Sequence, residues 1–300
     1  HPVEELVAEE TIDPAIILPE EDIEEEKSEI VYAERGYEFE LGKADFLTLS
    51  PDKITDNGGN DTDSRIKDAA LQEIVHSSGL DIDGQECQPV VHFINGQYIG
   101  MLNIREPNNK HFVEANYGLD DEEIDQFEMS PDSNYVQKCG TDESFLEWHS
   151  LSSNAADNAV YEQICNMVDI DEYINYMAVE LYLGGTDWPQ NNIKGFKPRY
   201  EGGKFRFVLF DLDGTFAASS DVFNTFEWKQ YNHTFDYIYD TGENMTGEIK
   251  WVTIFLNMLQ NDQFRKQFID TYCLVAGSVF VSERCNAIID EMASRTEQAL

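Results

Sequence analysis

Four side chains in two short runs could together carry out phosphoryl transfer. Asp187 and Asn192 stand in TDWPQNN, and Asp211 and Asp213 stand in DLDGT. A carboxylate that must take a proton only as a hydroxyl oxygen attacks can be weakly basic, which suits Asp187. An amide and further carboxylates supply the hard oxygen ligands that Mg²⁺ takes together with phosphate oxygens, which suits Asn192, Asp211 and Asp213. Spacing alone leaves another reading open, since Asp and Asn are common loop residues and Asn191 and Asn192 could simply close a turn.

The elements that must position these groups are legible from periodicity. Ile174, Met177, Ala178, Leu181 and Tyr182 fall at i, i+3, i+4, i+7 and i+8, one apolar helical face, with Gly184 and Gly185 as stop signals. Asp187 then lies just past a buried helix. Phe205, Phe207 and Leu209 alternate after the Glu-Gly-Gly at 201 to 203, which predicts two strands joined by a tight turn between Phe196 and Phe210. Asp211 and Asp213 fall where the second strand ends.

A carboxylate, an amide five residues later, a hairpin, and then an Asp at a strand end follow the order in which protein kinases place their catalytic and metal-binding groups. The runs NGGND (57 to 61), RIKDAA (65 to 70), INGQYIGMLNIRE (94 to 106), TDWPQNNIK and FRFVLFDLDGTFA together resemble the CotH-type (spore coat protein H) kinase family, in the same order over about Asn57 to Arg284. The resemblance implies an α+β, two-lobed, atypical protein-kinase-like fold that uses ATP and Mg²⁺ (or Mn²⁺) to phosphorylate protein Ser/Thr hydroxyls outside the cytoplasm. It implies Asp187 as the catalytic Asp, Asn192 as its loop partner, and Asp211 as the main metal ligand with Asp213 beside it. It also implies further chain beyond residue 300. A competing motif is present, because VLFDLDGTF matches haloacid-dehalogenase-type phosphatases, where the first Asp is a nucleophile and the second an acid/base. That motif normally opens a Rossmann-like domain; here only 85 residues follow Thr215, without a hydrophobic strand ending in paired acids. Two further rivals are a degenerate kinase acting as a surface binding module and a purely structural coat component.

Three hundred residues, 41% hydrophobic and 12% aromatic, can hold one large domain or two lobes. Twenty Lys and Arg against 59 Asp and Glu give a net charge of −39. Such a surface repels nucleic acid and anionic membranes, and would steer in a basic, Ser-rich protein substrate. No run of about 20 apolar residues reads as a membrane span, and none reads as a signal peptide. Five cysteines without metal spacing read as small buried hydrophobes rather than a disulfide scaffold.

Three regions are expected. Residues 1 to 29, with twelve acids, one Lys and three prolines, read as an acidic arm or linker. Residues 30 to 107 read as a β-rich, N-terminal lobe-like region: two strands around Arg35-Gly36, a Gly-containing loop feeding a helix with Ile66, Ala69, Ala70 and Ile74 on one face, and a hairpin turning at Asn95-Gly96. Residues 108 to 300 read as a C-terminal lobe-like region. Arg65 near that helix N-terminus, Glu106 at the hairpin's end and Lys110 at the start of KHFVEANYG are candidate nucleotide-binding residues, each with a plain alternative as a cap, a strand-end acid or a surface lysine. Residues 119 to 169 read as a surface elaboration. Residues 216 to 246 stand where a kinase activation segment would, and packing helices follow.

Overall fold

A computed structural model describes residues 32–33, 36–41, 45–49, 66–130, 134–185, 188–189, 191–216 and 251–297. The acidic arm, NGGND, Arg65, Asp187 and most of the segment 216 to 246 lie outside the described residues.

The fold is α+β. A short three-stranded antiparallel sheet comes first: β1 (Tyr32–Ala33), β2 (Gly36–Leu41) and β3 (Asp45–Leu49). Helix α1 (Lys67–His76) follows, then β4 (Asp83–Gly84) and the hairpin of β5 (Cys87–Ile94) and β6 (Gln97–Arg105). The hairpin turns where expected, with Asn95 and Gly96 both at positive φ, the conformation a two-residue turn requires. Helix α2 (Lys110–Tyr117) begins at Asn109, whose side chain accepts from the His111 N–H, and ends on left-handed Gly118.

Next come β7 (Ile124–Ser130), β8 (Asn134–Cys139), α3 (Glu143–Ser152), α4 (Asn158–Met167), α5 (Ile170–Leu183), β9 (Ile193–Pro198) and β10 (Arg206–Leu209). Helices α6 (Trp251–Met258), α7 (Asp262–Leu274) and α8 (Ser282–Thr296) close the described chain. The main sheet has the order β4-β10-β9-β7-β8, antiparallel except for the short parallel pairing of β10 with β4.

Alternation along these strands gives the sheet two apolar faces. Phe127, Ile193, Phe205, Phe207 and Leu209 point into the large core built on α5, with Trp148, Tyr173, Tyr176 and Trp251 around them. Ile124, Phe196 and Val208 point the other way, against Phe112 and Val113 of α2. Gly195 sits opposite both Phe127 and Phe207, and a Cβ there would meet Phe127 ring carbons at 2.6 and 2.7 Å, so the aromatic layer requires glycine.

Three expectations need correction. Residues 119 to 169 are not a surface elaboration: β7 is an inner strand, and Phe127, Phe145, Trp148 and Ile164 are core residues. Their acids hid this, because most occupy the turns and outward positions between the apolar ones, while Asp125 is buried in β7. The turn between β9 and β10 is also longer than a tight hairpin, spanning Arg199 to Phe205, since Phe205 first bridges to Val168. All five cysteines are free thiols; four are half-buried and Cys273 is exposed, so none is a fully buried core hydrophobe.

The outer edge of β10 is covered by backbone and two side chains. Phe205 bonds Met167 and Asp169, the Phe207 N–H donates to Glu172 Oε1 at 3.1 Å, β4 covers Val208 and Leu209, and Gln72 Nε2 donates to the Leu209 carbonyl at 3.0 Å. Glu172 is wholly buried, and burial raises its carboxyl well above the usual range although Arg206 opposes the shift. Among the described residues no single helix is long and apolar enough to cross a membrane.

Candidate functional site

Register decides which residues meet. β9 begins just after Asn192 and β10, antiparallel to it, ends just before Phe210 and Asp211, so Asn192 and Asp211 come to the same end of the sheet. Both have a left-handed backbone, φ 57° at Asn192 and φ 59° at Asp211. Asn and Asp tolerate that conformation better than other non-glycine residues, and such backbones gather at functional sites. Asn192 is buried. Asp211 opens a single 3₁₀ turn, Leu212–Gly214, closed by the Thr215 N–H and hydroxyl, which donate to the Leu212 carbonyl at 3.1 and 2.6 Å. Asp213 and Thr215 are buried within it. The loop is also tied to the C-terminus of α5, where the Phe216 N–H donates to the Leu183 carbonyl at 3.3 Å.

Helix α1 grips this loop through its first turn. Lys67 Nζ donates to the carbonyls of Asp213, at 2.8 Å, and Thr215. Asp68, with a side chain only 2% exposed, accepts the Leu212 N–H at 2.6 Å through Oδ1 and pairs with Arg105 Nη1 at 2.7 Å through Oδ2. A strand cation, a helix carboxylate and the aspartate loop are thus one connected unit. A charge so deeply buried needs both partners, because removing either leaves it uncompensated.

A second cation approaches from β9. Lys194 lies two residues after Asn192, donates to Asn108 Oδ1 at 2.7 Å, stands 3.6 Å from Glu128 Oε2, and holds its ammonium 5.0 Å from the centroid of the Phe210 ring beside Asp211. Lys138 pairs with the other oxygen of Glu128 at 2.8 Å.

The structure therefore brings Asn192, Asp211 and Asp213 to one end of the sheet. Glu106 follows directly on Arg105; its carboxylate accepts from Asn116 Nδ2 at 2.6 Å and from the Glu86 N–H at 3.3 Å. Lys110 is exposed and pairs with Asp121 at 2.5 Å, which raises its pKa. Sequence reasoning missed Lys67, Asp68, Arg105 and Lys194, although all four stand inside the motif runs. Asp68 reads as an ordinary first-turn acid, and only the packing of α1 onto the loop buries it.

Among the described residues no three His, Cys, Asp or Glu side chains converge as a metal cage. The donor chemistry of Asn192, Asp211 and Asp213 nevertheless fits Mg²⁺, which uses one or two carboxylates and completes its shell with phosphate oxygens and water. The sheet does not fit the phosphatase reading: the strand before DLDGT is antiparallel to its long neighbour, and among the described residues no doubly wound parallel sheet surrounds it.

The chain matches the CotH kinase protein family over residues 50–300 and belongs to it. Membership of a kinase family implies phosphoryl transfer from ATP. A comparison with curated proteins gave no match.

Proposed function

We infer that this protein is a secreted or surface-held, ATP-dependent protein kinase with a two-lobed kinase-like arrangement, residues 30–107 and 108–300 serving as its lobes. The observation that carries the reading is the pairing of two left-handed residues, Asn192 and Asp211, at one sheet end with a loop backbone held by Lys67 and Asp68. Mg²⁺ or Mn²⁺, when bound with ATP, neutralises charge developing on the transferred phosphoryl group. Asn192, Asp211 and Asp213 would hold the ion, and Asp187 would orient the acceptor hydroxyl and take its proton. Lys194, whose ammonium stands over Phe210 beside Asp211, would supply positive charge to the phosphates, which an otherwise acidic chain requires. Net charge of −39 favours a basic, Ser-rich protein substrate and disfavours nucleic acid and anionic lipid.

A ligand that binds only the folded state raises its stability, so thermal-shift titration with ATP, with and without Mg²⁺ or Mn²⁺, tests the reading directly. The expected result is a metal-dependent rise in Tm, with transfer of labelled γ-phosphate to a basic Ser-rich protein. No shift with either metal would move the protein to the binding-module reading.

A further inference from the structure

The aspartate loop is held by α1, and α1 is in turn held at its far end by the last described helix. Arg284, in the first turn of α8, donates through Nη2 to the Ile74 carbonyl at 2.7 Å and to Ser77 Oγ at 2.6 Å, while Nη1 donates to the Val279 carbonyl at 2.7 Å. The Ile74 carbonyl is one of the last-turn acceptors that the helix itself leaves without a partner, because the Ser78 N–H bonds Val75 instead. A guanidinium at this position answers both that acceptor and the negative end of the helix dipole.

Helix α1 is ten residues long, roughly 15 Å at 1.5 Å per residue. Its apolar residues Leu71, Ile74 and Val75 enter the core, which decides the face it buries. Apolar contact is non-directional and leaves sliding along the axis weakly opposed. Directional bonds at the two ends set the axial position: Lys67, Asp68 and Gln72 to the β10 end and aspartate loop, Arg284 at the C-terminal turn. Farther along α1 and α8 a cleft of about 110 Å³ opens, with Gln72, His76, Ile288 and Met292 among its walls.

We propose that Arg284 is a positioning residue for the aspartate loop, acting through α1: it fixes the axial register in which Lys67 and Asp68 meet the backbone of Leu212, Asp213 and Thr215. Its functional consequence, tighter MgATP binding, rests on the kinase reading above; the mechanical coupling does not.

The test is hydrogen exchange read by mass spectrometry on Arg284→Ala, Arg284→Lys and the control Arg295→Ala, which removes a cleft residue paired along its own helix with Glu291. Arg284→Ala is expected to accelerate exchange in the segment 207 to 216 roughly tenfold, the scale of losing a charged hydrogen bond, while segment 124 to 129 keeps its protection. Arg284→Lys should fall between, and Arg295→Ala should match wild type. Unchanged exchange at 207 to 216 in Arg284→Ala, or a uniform rise across all segments, overturns the proposal. If Arg284→Ala does not fold, Arg284→Lys decides by the same local comparison. MgATP affinity, measured in parallel, should weaken with the local opening. Absence of MgATP binding in wild type would sink the kinase reading while leaving the exchange result to stand or fall alone.

Discussion

The two ends of β10 are held in different ways. At its start, Arg206 enters a nest of side-chain carboxylates, Asp81 at 2.6 Å, Asp169 at 2.7 Å and Asp83 at 2.9 Å, with the Tyr117 hydroxyl donating to both Asp83 oxygens at 2.8 Å. At its finish, the bonds from α1 go to main-chain atoms: the Leu212 N–H and the carbonyls of Leu209, Asp213 and Thr215. Gripping a loop by its main-chain atoms fixes the path of the backbone that carries Asp211 and Asp213. That is what preorganisation of a ligand-binding loop asks for, whereas a closed ion-pair nest asks only for stability.

Breaking each end should therefore fail differently. The largest effect is expected from Asp211→Asn, with phosphoryl transfer reduced at least about 100-fold and metal-dependent ATP affinity lowered, because a hard anionic ligand is lost. Its Tm should barely move, since Asn also tolerates the left-handed backbone. Equal MgATP affinity by calorimetry would remove Asp211 from the metal site.

At the other end, Arg206→Met should cost stability, about 2 kcal/mol, by leaving the partly buried Asp83 and Asp169 and the more exposed Asp81 facing one another. Nucleotide affinity, corrected for the folded fraction, should stay as in wild type. Chemical denaturation alongside binding separates the two, and a selective loss of nucleotide affinity would erase the contrast.

A subtler probe is Glu172, beside the Arg206 nest. Burial raises its folded-state pKa, so above the unfolded carboxyl value the folded chain holds a proton that the unfolded chain has lost. Its contribution is present at low pH and is lost as pH rises toward the raised folded value. Glu172→Gln keeps an acceptor for the Phe207 N–H and should flatten that decline and stabilise the protein at neutral pH. Denaturation midpoints compared from pH 4.5 upward check the slope; an unchanged slope would mean that another group sets it. The smallest effect belongs to Lys110→Ala, where an exposed pair with Asp121 is lost. Neither Tm nor MgATP affinity should change measurably, and a clear loss of affinity would restore Lys110 to the site.

Much of this was legible in the residues alone. The helical spacing of Ile174 to Tyr182, the alternation of Phe205, Phe207 and Leu209, and the turn at Asn95-Gly96 are local patterns, and each element formed where its pattern stood. Motif order also placed the chain in its family, matched from residue 50 to 300. Tertiary structure alone decided the rest. Asp68 and Arg105 are 37 residues apart in sequence and 2.7 Å apart in space, and Arg284 reaches Ile74 across 210 residues. No local pattern marks such pairs, because a first-turn Asp or a helix-start Arg is also at home in solvent. Only the packing of α1 between the aspartate loop and the last helix brings these partners within reach, and at Asp68 it takes water away and makes the partner obligatory.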